Sequence, residues 1–243
     1  MPRILECEQG SPEWHRERAG VITASMVSTI RRKLKTGPNA GGYTQEAEKY
    51  AFRLALERIM ECPLDDTYET EYMRRGRRLE DDARDLHESL IGDFIEQIGL
   101  IVSDCGRFGA SADGLIRHDG GAEYKAFVDP GKLMPILIHG DVSEIQGQMQ
   151  MNLWLSGRDW WHFGLYCPGM AGIGRDLTII PVERDNAYIE AMVADLQAFD
   201  VVVEDYRQRI LESNYHNVTL PELKVPAKPA PQPVHEAEEE IYL

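Results

Sequence analysis

Ser111-Ala112-Asp113-Gly114-Leu115-Ile116-Arg117-His118-Asp119-Gly120-Gly121-Ala122-Glu123-Tyr124-Lys125-Ala126-Phe127 reads as a β-hairpin that carries two carboxylates and a lysine. Side chains alternate faces along a strand, so Glu123 and Lys125 point the same way. Asp119-Gly120-Gly121 signals the turn. A three-residue loop, His118 to Gly120, pairs Arg117 with Gly121 and sets Asp113 opposite Lys125. Glu123 is then a diagonal neighbour of Asp113 on the same face, within reach of one shared ion. A loop one residue longer or shorter would turn Asp113 to the other face and abolish the site. Two hard oxygen anions beside an ammonium suit Mg²⁺ or Mn²⁺, which take few protein carboxylates and keep several waters. They also suit metal-assisted attack of water on a phosphodiester, with the lysine positioning the nucleophile or stabilising developing charge.

A bare Asp…Glu-x-Lys pattern also arises by chance as two solvated residues on an exposed strand. The neighbourhood argues against that reading. The strand Phe108–Ile116 is rich in small residues (Gly109, Ala110, Ser111, Ala112, Gly114), which permits close backbone approach.

The chain has 243 residues, 43% hydrophobic and 28% charged, as expected of a globular protein able to bury a core. No apolar run is long enough to span a membrane, and the N-terminus lacks a signal-peptide hydrophobic region, so a cytoplasmic protein is expected. Cys7, Cys62, Cys105 and Cys167 are widely spaced with no C-x-x-C pair, which argues for reduced thiols in a cytoplasmic protein and against a zinc knuckle. A net charge of −15 sits poorly with a nucleic-acid substrate at first sight. Binding depends on local fields, however, and the positive charge is clustered in Arg31-Arg32-Lys33 with Lys35 and in Arg74-Arg75 with Arg77-Arg78. An acidic exterior around a basic lumen would hold DNA inside; the competing reading is that both runs are solvated surface.

Helical spacing predicts a short helix from Ser25, a helix from near Thr44, one from about Thr70 to Leu90, one at about Val142–Leu155 and a long one from Asn186 to about Leu211. Strands are expected around Phe94–Ser103, in the hairpin, at Trp160–Tyr166 and at Asp176–Val182. The order predicts an α/β fold, a mixed sheet flanked by helices. The folded body is expected over residues 1–220. Residues 221–243, Pro-rich and ending in an acidic run before Ile241-Tyr242-Leu243, are expected to be a disordered tail, either solubilising or a docking peptide.

With these residues in view, the chain resembles the lambda-type alkaline exonucleases, the YqaJ-like viral recombinase family of the PD-(D/E)xK (restriction-endonuclease-like) nuclease superfamily. Glu13-Trp14-His15-x-x-Arg18-x-Gly20-Val21-Ile22-Thr23-Ala24-Ser25 is similar to the family's N-terminal signature, and Gly76-x-x-x-Glu80-x-x-Ala83-Arg84 to its helical glutamate motif. Ser111-Ala112-Asp113-Gly114 with Glu123-Tyr124-Lys125 matches its catalytic core, and Gln148-Met149-Gln150 with Leu153-Trp154 the following helix. The resemblance spans roughly residues 8–210.

The resemblance implies a PD-(D/E)xK core and a Mg²⁺-dependent (Mn²⁺-tolerant) exonuclease. Such an enzyme degrades the 5′-phosphorylated strand of linear duplex DNA and leaves a 3′ overhang for strand annealing. It implies that Asp113, Glu123 and the Tyr124 carbonyl hold the metal and that Lys125 acts on the attacking water. Glu80 would serve a second metal or its water shell, and Gln148 would steady the nucleophile or Lys125. Arg18 and Ser25, with Ser111, would take the 5′-phosphate and the DNA end. It further implies a ring-shaped homotrimer, a single-strand annealing partner and a bacterial-cytoplasmic setting. Each residue has a plainer reading: Glu80 pairing with Arg84, Gln148 a helix-surface amide, Arg18 a structural ion pair, Ser25 an N-cap. Ala112 replaces the superfamily's proline, and Ile145 stands where relatives often place tyrosine. His15, His118 and His162 are read as structural or solvent-facing, and Trp154, Trp160 and Trp161 as core. Other readings are an endonuclease of the superfamily, a CRISPR-associated iron–sulfur nuclease, which lacks its clustered cysteines here, and a non-catalytic DNA-end-binding scaffold.

Overall fold

Two sheets share one ribbon of chain in this computed structural model, which describes residues 2–64, 71–127 and 129–213. In chain order the elements are β1 (Arg3–Leu5), α1 (Pro12–Arg18), β2 (Ile22–Thr23), α2 (Val27–Arg31), α3 (Gln45–Met60), α4 (Glu71–Ile91), β3 (Ile95–Glu96), β4 (Leu100–Val102), β5 (Phe108–Ala110), β6 (Gly114–Ile116), β7 (Gly120–Lys125), α5 (Pro130–His139), α6 (Ser143–Ser156), β8 (Trp160–Tyr166), β9 (Leu177–Glu183) and α7 (Asn186–Glu212). One sheet has the order β1-β4-β5-β2, the other β3-β6-β7-β8-β9; each mixes parallel and antiparallel pairs. The expected α/β class with mixed sheet and flanking helices holds, divided over two sheets. Met1–Leu211 forms one compact unit. The expected boundary near 220 and the tail 221–243 lie outside the described residues.

The division has a physical cause that periodicity does not reveal. The expected strand 94–103 breaks into β3 and β4, and the expected strand 108–116 into β5 and β6. At the breaks, carbonyls leave the ladders and need other donors. The Gln9 amide donates to Ile98 O at 2.9 Å and to Ala112 O at 2.8 Å, stapling both breaks at once. The Trp14 indole N–H does the same for Gly99 O at 3.2 Å and the Ser111 hydroxyl at 3.0 Å. The small residues expected to admit a bulky partner are filled by the protein itself. A Cβ on Gly109 would lie 2.9 Å from Val21, and one on Gly114 only 2.2 Å from Ile95.

The hairpin register differs from expectation by two residues. Gly114 pairs with Ala122, Leu115 with Gly121 and Ile116 with Gly120, so the turn is Arg117-His118-Asp119 and both glycines belong to the strand. Continuing that register one residue sets Asp113 against Glu123, not Lys125. The reason is packing by β8: Cβ atoms on Gly120 and Gly121 would lie 2.1 Å from the Trp160 ring and 2.3 Å from the Trp161 ring. Only glycine lets those indoles cross the strand. Arg117 takes the left-handed conformation (φ 49°) in the turn, which the Arg158 guanidinium holds by donating to the carbonyls of Ile116, Arg117 and Gly120. Because the slip is two residues, the face assignment survives.

β7 is buried on both faces. Ala122 and Tyr124 meet Ala83 of α4, with Ile95 and Ile116, while the opposite face turns to α6. The main core joins α2, α3, α6 and α7 to the strands through Ile30, Leu54, Met149, Trp161, Phe163 and Phe199. Trp161 is a core residue, as expected, with Trp154 and Trp160 packed against core clusters.

Candidate active site

Glu123 is 1% exposed, and a carboxylate so far from water must be partnered. Period two places it on the α6 face with Lys125. Lys125 Nζ donates to Glu123 Oε1 at 2.6 Å, and Gln148 Nε2 donates to the same oxygen. Asn152 Nδ2 donates to Oε2 at 3.3 Å. Gln148 and Asn152 are four residues apart, one above the other on α6. Gln148 is therefore no surface amide. Asn152 escaped the sequence reading; its place one turn beyond Gln148 was the available signal.

Asp113 stands at the start of β6 and accepts the Tyr124 N–H on Oδ2 at 2.6 Å. Burial, then the facing Glu123 carboxylate, raise its pKa well above the ordinary range, against the pull of Lys125. Glu80, on α4, is likewise raised by burial, with Lys125 opposing and Glu123 adding to the shift. Its expected i,i+4 partner does not take it: Arg84 pairs with Asp81 at 2.9 Å instead. Lys125 loses from burial, yet Glu123 and Asp113 outweigh that loss and hold its pKa above the ordinary value. The ammonium therefore keeps its proton and acts as a donor.

Glu80 and Asp113 line an open cleft of about 950 Å³ together with Arg77, Arg84, Arg158 and Gln9. Asp113 and Glu80 are both raised by burial and by the Glu123 charge, with Lys125 opposing at both and Arg84 at Glu80, and hard oxygen donors so placed fit a divalent cation. Among the described residues no three His, Cys, Asp or Glu side chains form a ready ligand cage. Behind β7, Tyr124 meets buried His87, which the sequence reading did not single out, and half-buried His162, which it left as structural or solvent-facing. His87 Nδ1 lies 2.8 Å from the Tyr124 hydroxyl and its Nε2 lies 3.0 Å from His162 Nδ1.

The N-terminal signature builds a separate pocket of about 270 Å³, lined by Arg18, Ser25, Thr23, His15, Tyr50 and Arg53, among others. Arg18 ends α1, its guanidinium over the Trp14 ring at 4.8 Å, and its Nε is buried without a partner. Burial lowers its pKa, with Tyr50 and Glu57 opposing. Ser25 lies inside a 3₁₀ turn (Ala24–Met26) and is not an N-cap. Arg18 and Ser25 thus share one pocket. Ser111 does not join them: its hydroxyl accepts from Trp14, whose ring lies under Arg18. Of the basic runs, Arg31 pairs with Asp195 and Arg32 with Glu46, while Arg74 and Arg78 pair with Glu71.

A mixed-sheet fold with an Asp, Glu-x-Lys and Gln cluster beside a cleft defines the class as PD-(D/E)xK-like. The profile of the YqaJ-like viral recombinase domain matches residues 13–159, more than half of the chain, and the protein belongs to that family. The chain is similar to the alkaline exonuclease LHK-Exo from Laribacter hongkongensis: 25% identity, TM-score 0.70, covering 83% of this chain and 96% of that one. The structure of LHK-Exo in complex with dAMP aligns at 25% identity and TM-score 0.69, over 82% and 96% of the two chains. A phage-related exonuclease from Haemophilus somnus, at 15% identity and TM-score 0.56 over 79% and 95%, shares the fold. No curated protein sequence matches the chain. Among the described residues no helix is long and apolar enough to cross a membrane.

Proposed function

We propose that this protein is a Mg²⁺-dependent exonuclease that digests the 5′-phosphorylated strand of linear duplex DNA in the 5′-to-3′ direction. Family membership and the fold shared with alkaline exonucleases make it a DNA-hydrolysing nuclease; metal, polarity and end preference are the proposal. The observation that carries it is the convergence of Lys125 and Gln148 on Glu123, with Asp113 electrostatically coupled to Glu123 and Lys125 and lining, with Glu80, one cleft.

Asp113, Glu123 and the Tyr124 carbonyl would hold the cation, with Glu80 on a second ion or its waters. Such an ion supplies an activated water and neutralises charge on the phosphoryl oxygens. Lys125, protonated, orients that water and stabilises charge at the phosphorus. Gln148 and Asn152 fix the Glu123 carboxylate, so that neither Glu123 nor Lys125 needs to reorganise. Water attack on phosphorus would form a P–O bond as the P–O3′ bond breaks; the attacking water gives up a proton to solvent, and O3′ takes one from solvent and leaves as the 3′-hydroxyl of the released 5′-mononucleotide. The Arg18–Ser25 pocket supports recognition of the terminal 5′-phosphate, since a buried guanidinium N–H without an acceptor is suited to a phosphate oxygen. A homotrimeric ring, handing the 3′ overhang to a single-strand annealing protein in the bacterial cytoplasm, belongs to the same proposal. Such a ring would enclose DNA and so tolerate the net charge of −15.

The test is digestion of linear duplexes with 5′-phosphate or 5′-hydroxyl ends, with and without Mg²⁺. The reading requires Mg²⁺-dependent release of mononucleotides, faster from phosphorylated ends. Internal cuts, or digestion unaffected by chelation, would overturn it.

A further inference from the structure

The cleft that would receive the scissile strand has several carboxylates on its walls and needs cations for the DNA phosphates. Lys125 is committed to Glu123 at 2.6 Å. Arg158 spends its Nη1 on three hairpin carbonyls. Arg77 donates to Gln9 O at 3.1 Å. Arg84 differs. Its side chain is 11% exposed, and its Nη2 donates to Asp81 at 2.9 Å, a carboxylate that is itself 59% exposed. Its Nε is buried and has no acceptor. Arg84 lies one helical turn beyond Glu80, on the same stripe of α4, and lines the same cleft as Glu80 and Asp113.

We infer that Arg84 is a substrate-binding residue that grips an internucleotide phosphate of the strand being degraded, beside the carboxylates and apart from the Arg18 pocket. This rests on the nuclease reading. A guanidinium held by packing along its stem loses little freedom when it binds, and its fork matches two oxygens of a phosphate. An unsatisfied buried N–H is costly, so a group that supplies an acceptor after a small rotation is favoured. Asp81 holds the fork in place and is easily released to water, since exposed ion pairs are weak. The arrangement also balances charge: the phosphate meets a cation on the α4 wall where the neighbouring carboxylates would otherwise repel it.

The experiment compares Arg84→Gln and Arg84→Lys in the full-length protein. Binding to a 5′-phosphorylated linear duplex is measured in EDTA over a range of salt concentrations, and digestion in Mg²⁺. Loss of one phosphate contact lowers the slope of log affinity against log salt by about one. Arg84→Gln should show that lower slope and a roughly ten- to hundred-fold slower digestion, equally on 5′-phosphate and 5′-hydroxyl ends. Arg84→Lys should keep the slope and recover part of the rate. An unchanged slope in Arg84→Gln, with digestion intact, overturns the inference and leaves the nuclease reading standing. An effect confined to phosphorylated ends would assign Arg84 to the terminal phosphate and overturn it as well. Absence of Mg²⁺-dependent digestion in the unmutated protein would instead sink the nuclease reading. Should the glutamine variant not fold, Arg84→Met, which keeps the aliphatic stem, is read in the same way.

Discussion

Glu123 and Arg18 are both charged groups drawn out of water, and the protein treats them in opposite ways. Three donors from two elements hold Glu123: Lys125 from its own strand, Gln148 and Asn152 from α6. Arg18 keeps a buried Nε without any acceptor, stacked on Trp14 and steadied at a distance by Glu57. A satisfied buried charge is a rigid part, whereas an unsatisfied one is completed by something that arrives. On the proposed reading, the cleft does chemistry in a fixed geometry and the Arg18 pocket captures an anion. The two are joined through the chain itself, since Trp14 lies under Arg18 and donates to Ser111, two residues before Asp113.

Damage to the two regions has different signatures. Asp113→Ala or Glu123→Ala should reduce digestion by about a thousand-fold or more on every DNA end, in single-turnover rates. Substantial Mg²⁺-dependent turnover in either variant would mean that these are the wrong carboxylates. Arg18→Ala should slow digestion of 5′-phosphorylated ends by roughly ten- to a hundred-fold, the loss of one charge-assisted contact, and barely affect 5′-hydroxyl ends. Equal slowing of both substrates would make Arg18 a structural residue.

The raised carboxylates give the cleft a pH signature. Asp113 must lose its proton to hold a cation, and its pKa lies well above the ordinary range. Metal affinity should therefore fall as pH falls through that raised range, about tenfold per pH unit for one displaced proton. Mg²⁺ half-saturation measured at several pH values checks this; a flat profile would contradict proton-linked binding at Asp113.

A smaller effect concerns stability behind the cleft. Burial, then the neighbouring His162, lower the His87 pKa from 6.5 to about 4. The unfolded chain takes up a proton near pH 6.5 while folded His87 stays neutral, so its contribution is complete above 6.5 and is lost as pH falls toward 4. The gap in melting temperature between the unmutated protein and His87→Gln should narrow over that window. A constant gap from pH 8 to pH 4.5 would show that His87 contributes only packing.

Much of the cleft was legible in sequence because its chemistry is local. Glu123 and Lys125 share a face through period two, and Gln148, placed by the family resemblance, joins them from α6, beyond the α5 helix that the pattern did not reveal. Strand β8 and the start of α7 fall where the pattern set them. The register was misread because glycine pairs signal turns, whereas Gly120 and Gly121 serve the indoles of Trp160 and Trp161, forty residues later. The division into two sheets was illegible for a similar reason: it depends on Gln9 and Trp14 reaching carbonyls some 85 to 103 residues away. His87 gave no signal at all, since a lone histidine on a helix carries no pattern until Tyr124 and His162 are placed beside it.

The central claim is that the cleft cuts and the Arg18 pocket holds, and Lys125→Ala separates the two. Release of the first nucleotide and binding of the end should be measured together on one 5′-phosphorylated linear duplex in Mg²⁺. Release should fall by about a thousand-fold while the affinity for the end stays within a few-fold of the unmutated protein. Continued rapid release, or loss of end binding together with release, would contradict the division of labour.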